Sequence, residues 1–304
     1  MGNCRRRLVC IDVRALEEEQ WRQAAIDMIH CNEREEEPSD FMEESLADYG
    51  ATITEEHYRP VLEQLTGHVL DELAPGIHED FQIHRLVLFD SPTSLELKKS
   101  PRLGSRIAYT RIEDGDSSIR KYYPKQGGVG RWIEHLEEKL VEEEVTIETD
   151  ARVSGAEVTE DHITSLSLED GRTIPTEDLI WTIPPAVLFY AAGYSLDTIP
   201  PPVRDLHLVH LSFDAPIQID RHYVNVFDPA YRSYRVTLYP NIIAEGSRSS
   251  PPHHLTVEIL GEVNASTESL PSLVQSELAE LGIVPADASR TYESVRRLDN
   301  ALPI

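Results

Sequence analysis

Tyr122, Tyr123, Pro124, Lys125, Gln126, Gly127, Gly128, Val129, Gly130, Arg131 and Trp132 join a strand-like entry to a glycine turn that opens a helix. Glycine lets the backbone turn with φ > 0 and lets a ligand approach the amides. A helix starting near Arg131 would aim its free N–H groups and dipole at an anion. The sequel gives this phosphate-cradle shape its weight. The helical stripe Trp132, Ile133, Leu136 and Leu140 is followed by Val145 to Val153, where Val145, Ile147 and Thr149 alternate as in a strand. Ile163, Leu166 and Leu168 then face Arg172 and Ile174 across Asp170 and Gly171, a hairpin signal. Leu179 to Ile183 is apolar but for Thr182, as expected of a buried strand, and runs into Pro184 and Pro185.

That ordered series resembles the FAD-dependent amine oxidase superfamily, which includes protoporphyrinogen oxidases, phytoene desaturases and UDP-galactopyranose mutases. The resemblance is strongest over residues 118 to 193. It implies that Gly127, Gly128 and Gly130 belong to the flavin's domain, that the backbone of Val153 lies against the adenine, and that Thr182 is a cofactor contact. It also implies a small-molecule substrate and electron transfer carried out by the isoalloxazine, with the protein orienting the substrate and tuning the potential.

The departure from that pattern matters as much. Those proteins carry a βαβ unit with Gly-x-Gly-x-x-Gly and a ribose-binding acidic residue. No Gly-x-Gly-x-x-Gly occurs in this sequence, and the Gly-Asp segment that lies beside the flavin in those proteins is not found before Ile304. The chain therefore reads as the middle of a flavoenzyme, expected to bind FAD weakly or not at all by itself. A separate polypeptide bearing the dinucleotide motif would complete it. The alternative is a non-catalytic remnant that acts as a binding or scaffold protein.

The expected architecture is α+β with an α/β portion. A mostly helical substrate-side region covers 1–117, a partial FAD-binding region 118–193, and a β-rich substrate region with one helix 194–304. Helices are read from Leu16 to His30, from an N-cap at Ser39 to Gly50, and from Thr54 to Leu65, where Tyr58, Val61, Leu62 and Leu65 share a face. Strands are read at Leu206 to Phe213, Tyr223 to Phe227, Tyr234 to Tyr239, Leu255 to Leu260 and Tyr292 to Leu298, with a helix from Leu270 to Leu281.

Within the Tyr234 strand, alternation sends Arg235, Thr237 and Tyr239 to one face and Tyr234, Val236 and Leu238 to the other. Tyr234, Arg235 and Tyr239 are the candidate substrate residues, because a guanidinium can hold an anion bidentately. The bland reading is an Arg- and Tyr-covered sheet edge. His207 and His210 sit three apart on a strand and point to opposite faces, and His253 and His254 also diverge, so no metal site is expected.

Composition bounds the partners. The net charge of −26 comes from 54 acidic against 28 basic residues, a field that repels nucleic acid and anionic membranes. Five Lys against 23 Arg on such a surface suggests salt adaptation, the alternative being an ordinary acidic protein of a GC-rich genome. Cys4, Cys10 and Cys31 form no Cys-x-x-Cys pair and read as reduced thiols of a cytoplasmic protein. No apolar run is long enough to span a bilayer. Counterions screen self-repulsion over about 3 Å at 1 M salt, so the thermal midpoint should rise between low and molar KCl. A flat or falling midpoint would remove the salt-adaptation reading.

Overall fold

In the computed structural model, residues 11–31, 36–109, 123–124, 127–160, 162–196, 202–242, 250–262, 266 and 268–303 are described. Tyr122, Lys125 and Gln126 of the opening stretch, Cys4 and Cys10 lie outside them. The chain forms two compact units, one of residues 127–201 and the other of residues 1–126 with 202–304. Both mix helices with small sheets, an α+β architecture.

In the larger unit the helical layer begins with α1 (Glu18–His30) and α2 (Phe41–Tyr49). The cap of α2 is Asp40 rather than Ser39. Its carboxylate accepts from Glu43 N–H at 2.9 Å, while the Ser39 hydroxyl donates to Asp40 and Glu43. A continuous helical run follows as α3 (Ala51–Ile53), a π turn (Thr54–Tyr58) and α4 (Arg59–Thr66). Pro60 causes the wider turn. It has no N–H to offer the Glu56 carbonyl, and Arg59 N–H reaches five residues back to Thr54 instead. The short helices α5 (Ile77–Asp80) and α6 (Ser91–Leu97) complete the layer, with the parallel pair β1 (Ile11–Asp12) and β2 (Leu86–Val87). Phe41, Ile53, Tyr58, Leu62, Leu65 and Leu70 are fully or almost fully buried in its core.

The second layer is a five-stranded antiparallel sheet. Its strands are β6 (Val203–Phe213), β7 (Tyr223–Asn225), β8 (Arg235–Leu238), β9 (His253–Leu260) and β10 (Arg290–Pro303), in the order β10-β6-β9-β8-β7. Val209, Leu211, Val236, Leu255 and Val257 make one face apolar, and α9 (Leu270–Glu280) packs on it through Leu270, Val274 and Leu278. Phe227, Tyr234 and Leu260 pack against the helical core instead, which ties the two layers together.

In the 127–201 unit, α7 (Gly128–Glu142) precedes a three-stranded sheet of β3 (Val153–Thr159), β4 (His162–Leu168) and β5 (Thr173–Pro175), and α8 (Pro185–Ala191) follows. The Asp-Gly turn forms as read, with Gly171 at φ 87° and Leu166 paired with Ile174. Two expected strands do not form. Residues 145–149 and 179–183 carry no strand pairing among the described residues, and Ile180 is 91% exposed. An apolar run becomes a buried strand only where a neighbour supplies its hydrogen bonds. The stripe on α7 likewise exists without cover, Trp132 being 64% exposed and Ile133 53%.

Arg204 holds the larger unit's layers at one point. Its Nη1 donates to the carbonyls of Gln64 at 2.5 Å and Leu65 at 2.9 Å, and its Nη2 donates to that of Leu260 at 3.4 Å. Arg204→Ala should cost about 2–4 kcal/mol in urea unfolding, because it strips donors from partly buried acceptors. Arg204→Lys should recover only part of that, since one ammonium cannot fork to helix and strand together. A loss below experimental error for both variants would contradict the clamp.

Candidate functional site

A cavity of about 540 Å³ opens within the larger unit, between the helical run and the loop that precedes β8. Its helical wall comes from the π turn and the first turns of α4, which present Glu55, Glu56, Arg59, Pro60, Glu63 and Gln64. The opposite wall is Pro229, Tyr231, Arg232 and Tyr234, with Arg204 and Leu260 at the base. The volume suits a small molecule.

The charges here are mixed and their commitments differ. Arg59 lies between two glutamates, with Nε donating to Glu55 at 2.6 Å and Nη1 to Glu63 at 3.1 Å. The Glu55 hydrogen bond, with Glu63 assisting, pushes the guanidinium pKa further up. Arg204 is committed to backbone carbonyls, and burial pulls its pKa down from the ordinary arginine value. Arg232 is exposed and makes no ion pair among the described residues, which leaves its fork available. Gln64 Oε1 is buried with no hydrogen-bond partner among them, an acceptor aimed at nothing protein-borne. Burial raises the Tyr234 pKa, so its phenol stays a neutral donor. No His, Cys or Ser lines the cavity. The arrangement can bind and orient a small molecule.

The wall that supplies Tyr231, Arg232 and Tyr234 is fixed from behind by Glu277 on α9. Its nearly buried carboxylate accepts from Arg232 N–H at 2.8 Å, from Ser233 N–H at 2.9 Å and from the Ser233 hydroxyl at 2.5 Å. Sequence reading missed Glu277, though a signal was present. It occupies the stripe of Leu270, Val274, Leu278 and Leu281, where an acid is tolerated only if it meets donors.

The three candidate substrate residues part company. Tyr234 lines the cavity. Arg235 pairs across strands with Glu258 at 2.7 Å. The Tyr239 hydroxyl lies 3.1 Å from Thr256 Oγ1, which is also 2.8 Å from His210 Nδ1. The latter two belong to a polar sheet face on which the Ser212 hydroxyl also meets His254 Nδ1 at 2.6 Å. His207 and His210 do point to opposite faces, and among the described residues no cluster of metal-ligating side chains occurs.

The candidate cofactor residues all lie in the 127–201 unit. Gly127 and Gly128 have φ of 74° and 62°, and a Cβ on Gly127 would stand 2.9 Å from that of Arg131. Gly130 lies in the first turn of α7. Val153 opens β3 opposite Leu168, and Thr182 is exposed in the irregular segment before α8.

No protein-family profile and no curated protein matches the chain. Solved structures do. The chain is similar to a reduced UDP-galactopyranose mutase, with a TM-score of 0.69 and 13% identity over 96% of this chain and 62% of that one. An oxidoreductase from Methanosarcina mazei matches with a TM-score of 0.55 and 13% identity, over 96% of this chain and 63% of the other. A protein from Pyrococcus furiosus gives 0.52 and 15%, over 92% and 63%. At these identities the likeness establishes a shared fold. The chain spans under two thirds of each matched structure's length. Among the described residues no helix is long and apolar enough to cross a membrane.

Glu277→Ala should lower stability by about 3 kcal/mol, since it leaves partly or fully buried donors unpaired. It should also speed amide exchange across residues 229–234. Unchanged exchange there would mean that the loop holds itself.

Proposed function

We propose that this chain is the substrate-side part, together with a portion of the cofactor-side part, of an FAD-dependent oxidoreductase of the amine oxidase and protoporphyrinogen oxidase type. Its substrate is a small anionic molecule. The observation that carries the reading is the 127–201 unit, where a double-glycine turn opens a helix whose apolar stripe is bare. A glycine turn with φ > 0 at a helix start suits a phosphate-bearing group, and a bare stripe suits cover by further polypeptide. The fold likeness to a mutase and an oxidoreductase supports the same reading.

The residues fit part of a flavin site. Gly127, Gly128 and Gly130 would hold the phosphate side, with Val153 and Thr182 against the rest. The flavin, when bound, supplies the electron transfer. In the larger unit, Arg232 and Tyr234 would bind and orient the anion, while Arg59 and Arg204 shape the walls. Arg235 and Tyr239, held by Glu258 and Thr256 on the polar sheet face, would not touch a ligand that Tyr234 binds in the cavity. A second reading, a non-catalytic binding or scaffold protein, draws on one observation. The Gly-x-Gly-x-x-Gly unit that would seat the pyrophosphate is not in the sequence.

The test supplies that unit in trans or by fusion, as a βαβ segment from a flavoprotein of this fold, and follows flavin absorbance in a titration. Tight FAD binding is expected in the completed protein, and Gly128→Val should abolish it by forcing a β-branched residue to φ > 0. Arg232→Ala should leave flavin bound and weaken a phosphate- or carboxylate-bearing ligand about tenfold. Normal FAD affinity in Gly128→Val would reduce the glycine pair to a simple turn. A completed protein that stays colourless would favour the scaffold reading.

A further inference from the structure

β10 is an edge strand of the five-stranded sheet, paired to β6 on one side and with no strand on its other side among the described residues. It is 14 residues long, and none of residues 290–302 is buried. A long open edge is a template for another strand, and natural proteins usually blunt it with charge. The charges on β10 are ordered differently from a simple repulsive guard. We propose that this edge pairs antiparallel with β10 of a second copy, about a two-fold axis at Val295, to form a continuous ten-stranded sheet.

The argument rests on parity and charge. Residues opposite each other in an antiparallel pair point to the same face, so a two-fold pairing of one strand with itself must place some residue opposite its own copy. With Val295 on the axis, Glu293 stands opposite Arg297 of the second copy, and Arg297 opposite Glu293. On that face two ion pairs flank a Val–Val contact. The other face sets Tyr292, 56% exposed, against Leu298 and Ser294 against Arg296. No like charges meet.

Other registers centred in the regular stretch Tyr292–Arg297 are worse, and an axis at Leu298, which sets Arg297 against Asp299, runs into the register shift between Leu298 and Leu302. An axis at Glu293 stacks the two glutamates, and an axis at Arg296 or Arg297 stacks arginines. An axis at Ser294 pairs no opposite charges. Opposite charges directly across a sheet are favourable and like charges are not. The present partners do not close the edge. Glu293 holds Arg290 at 2.6 Å but remains 48% exposed, and Arg297 holds Asp205 and Asp299 while 59% exposed, with guanidinium donors to spare. Arg296 makes no ion pair among the described residues.

Global charge points to the same edge. Two copies of a chain with net charge −26 repel one another, so association favours the surface where that field is weakest. β10 carries three arginines against two carboxylates in a chain where acids outnumber bases nearly two to one.

The test is light scattering after gel filtration of the full chain, over a concentration series reaching hundreds of micromolar in moderate salt. A dimer is expected for the parent. Glu293→Arg and Arg297→Glu should each give a monomer, or weaken the dimer at least about tenfold, by setting like charges across the axis. An equimolar mixture of the two single variants should restore the dimer, because each then meets its opposite. So should the double variant, which swaps the charges within one chain and keeps the test open if a single variant misfolds. A monomeric parent across the series overturns the proposal. A dimer that ignores both single variants, or a mixture that stays monomeric alongside a monomeric double variant, overturns it equally.

Discussion

The larger unit depends on one guanidinium. Arg204 leaves the start of β6 and enters the C-terminal end of α4, where the last carbonyls of a helix have no intrahelical partner and the dipole favours a cation. It satisfies two of those carbonyls and one on β9, so helical layer and sheet are joined by a charge-assisted fork rather than by apolar contact alone. The surroundings are shaped to admit it. Gly261, at φ 77°, lies so close that a Cβ there would stand 2.9 Å from the guanidinium carbon. Gly67, the left-handed cap of α4, faces the same group. Position 261 therefore needs glycine twice over, once for its backbone and once for the arginine that fills the space. The cavity's base exists because this fork fixes how far α4 stands from the end of β9.

The 127–201 unit is built on the opposite principle. Among its described residues the buried apolar side chains are Leu166 and Leu168. Fourteen of the 22 large apolar side chains exposed among the described residues belong to it, including Trp132, Ile180, Phe189 and Tyr190. The amphipathic pattern on α7 is a correct reading of the sequence that lacks its counterpart surface. Hydrophobic burial is a pairwise property, and a single sequence states only one side of the pair.

The same asymmetry separates what was legible from what was not. β6, β9, α9 and the Asp-Gly hairpin were readable because alternation, helical period and turn chemistry are local. Asp40 displaced Ser39 as a cap for a local reason too, since both residue types cap well and one position decides. The π turn was signalled by Pro60, though only as a break. Leu179 to Ile183 misled because a largely apolar run says that burial is needed without saying that a partner strand is there. Arg204 and Glu277 gave weaker signals still. Their partners lie roughly 140 and 45 residues away along the chain, and only the charged residue in an apolar stripe hinted at the second.

Strand geometry explains why the candidate site is not the one the strand at 234–239 suggested. A period of two places Tyr234 and Arg235 on opposite faces, so no ligand lying on one face can touch both. Arg235 then satisfies its charge across the sheet with Glu258, and Tyr239 joins the Thr256 and His210 network, while Tyr234 turns toward the helices. A binding site needs side chains that converge, and convergence here comes from three differently shaped pieces: a helix widened by proline, a loop pinned by Glu277, and the end of a sheet. In a chain of net charge −26, this cavity sets three guanidiniums against the three carboxylates of Glu55, Glu56 and Glu63. Arg59 is neutralised on both sides and Arg204 is occupied by carbonyls. If the proposed anionic ligand binds here, Arg232 is the guanidinium left to meet it, and the position of Arg232 rests on the Glu277 carboxylate that holds the backbone beneath it.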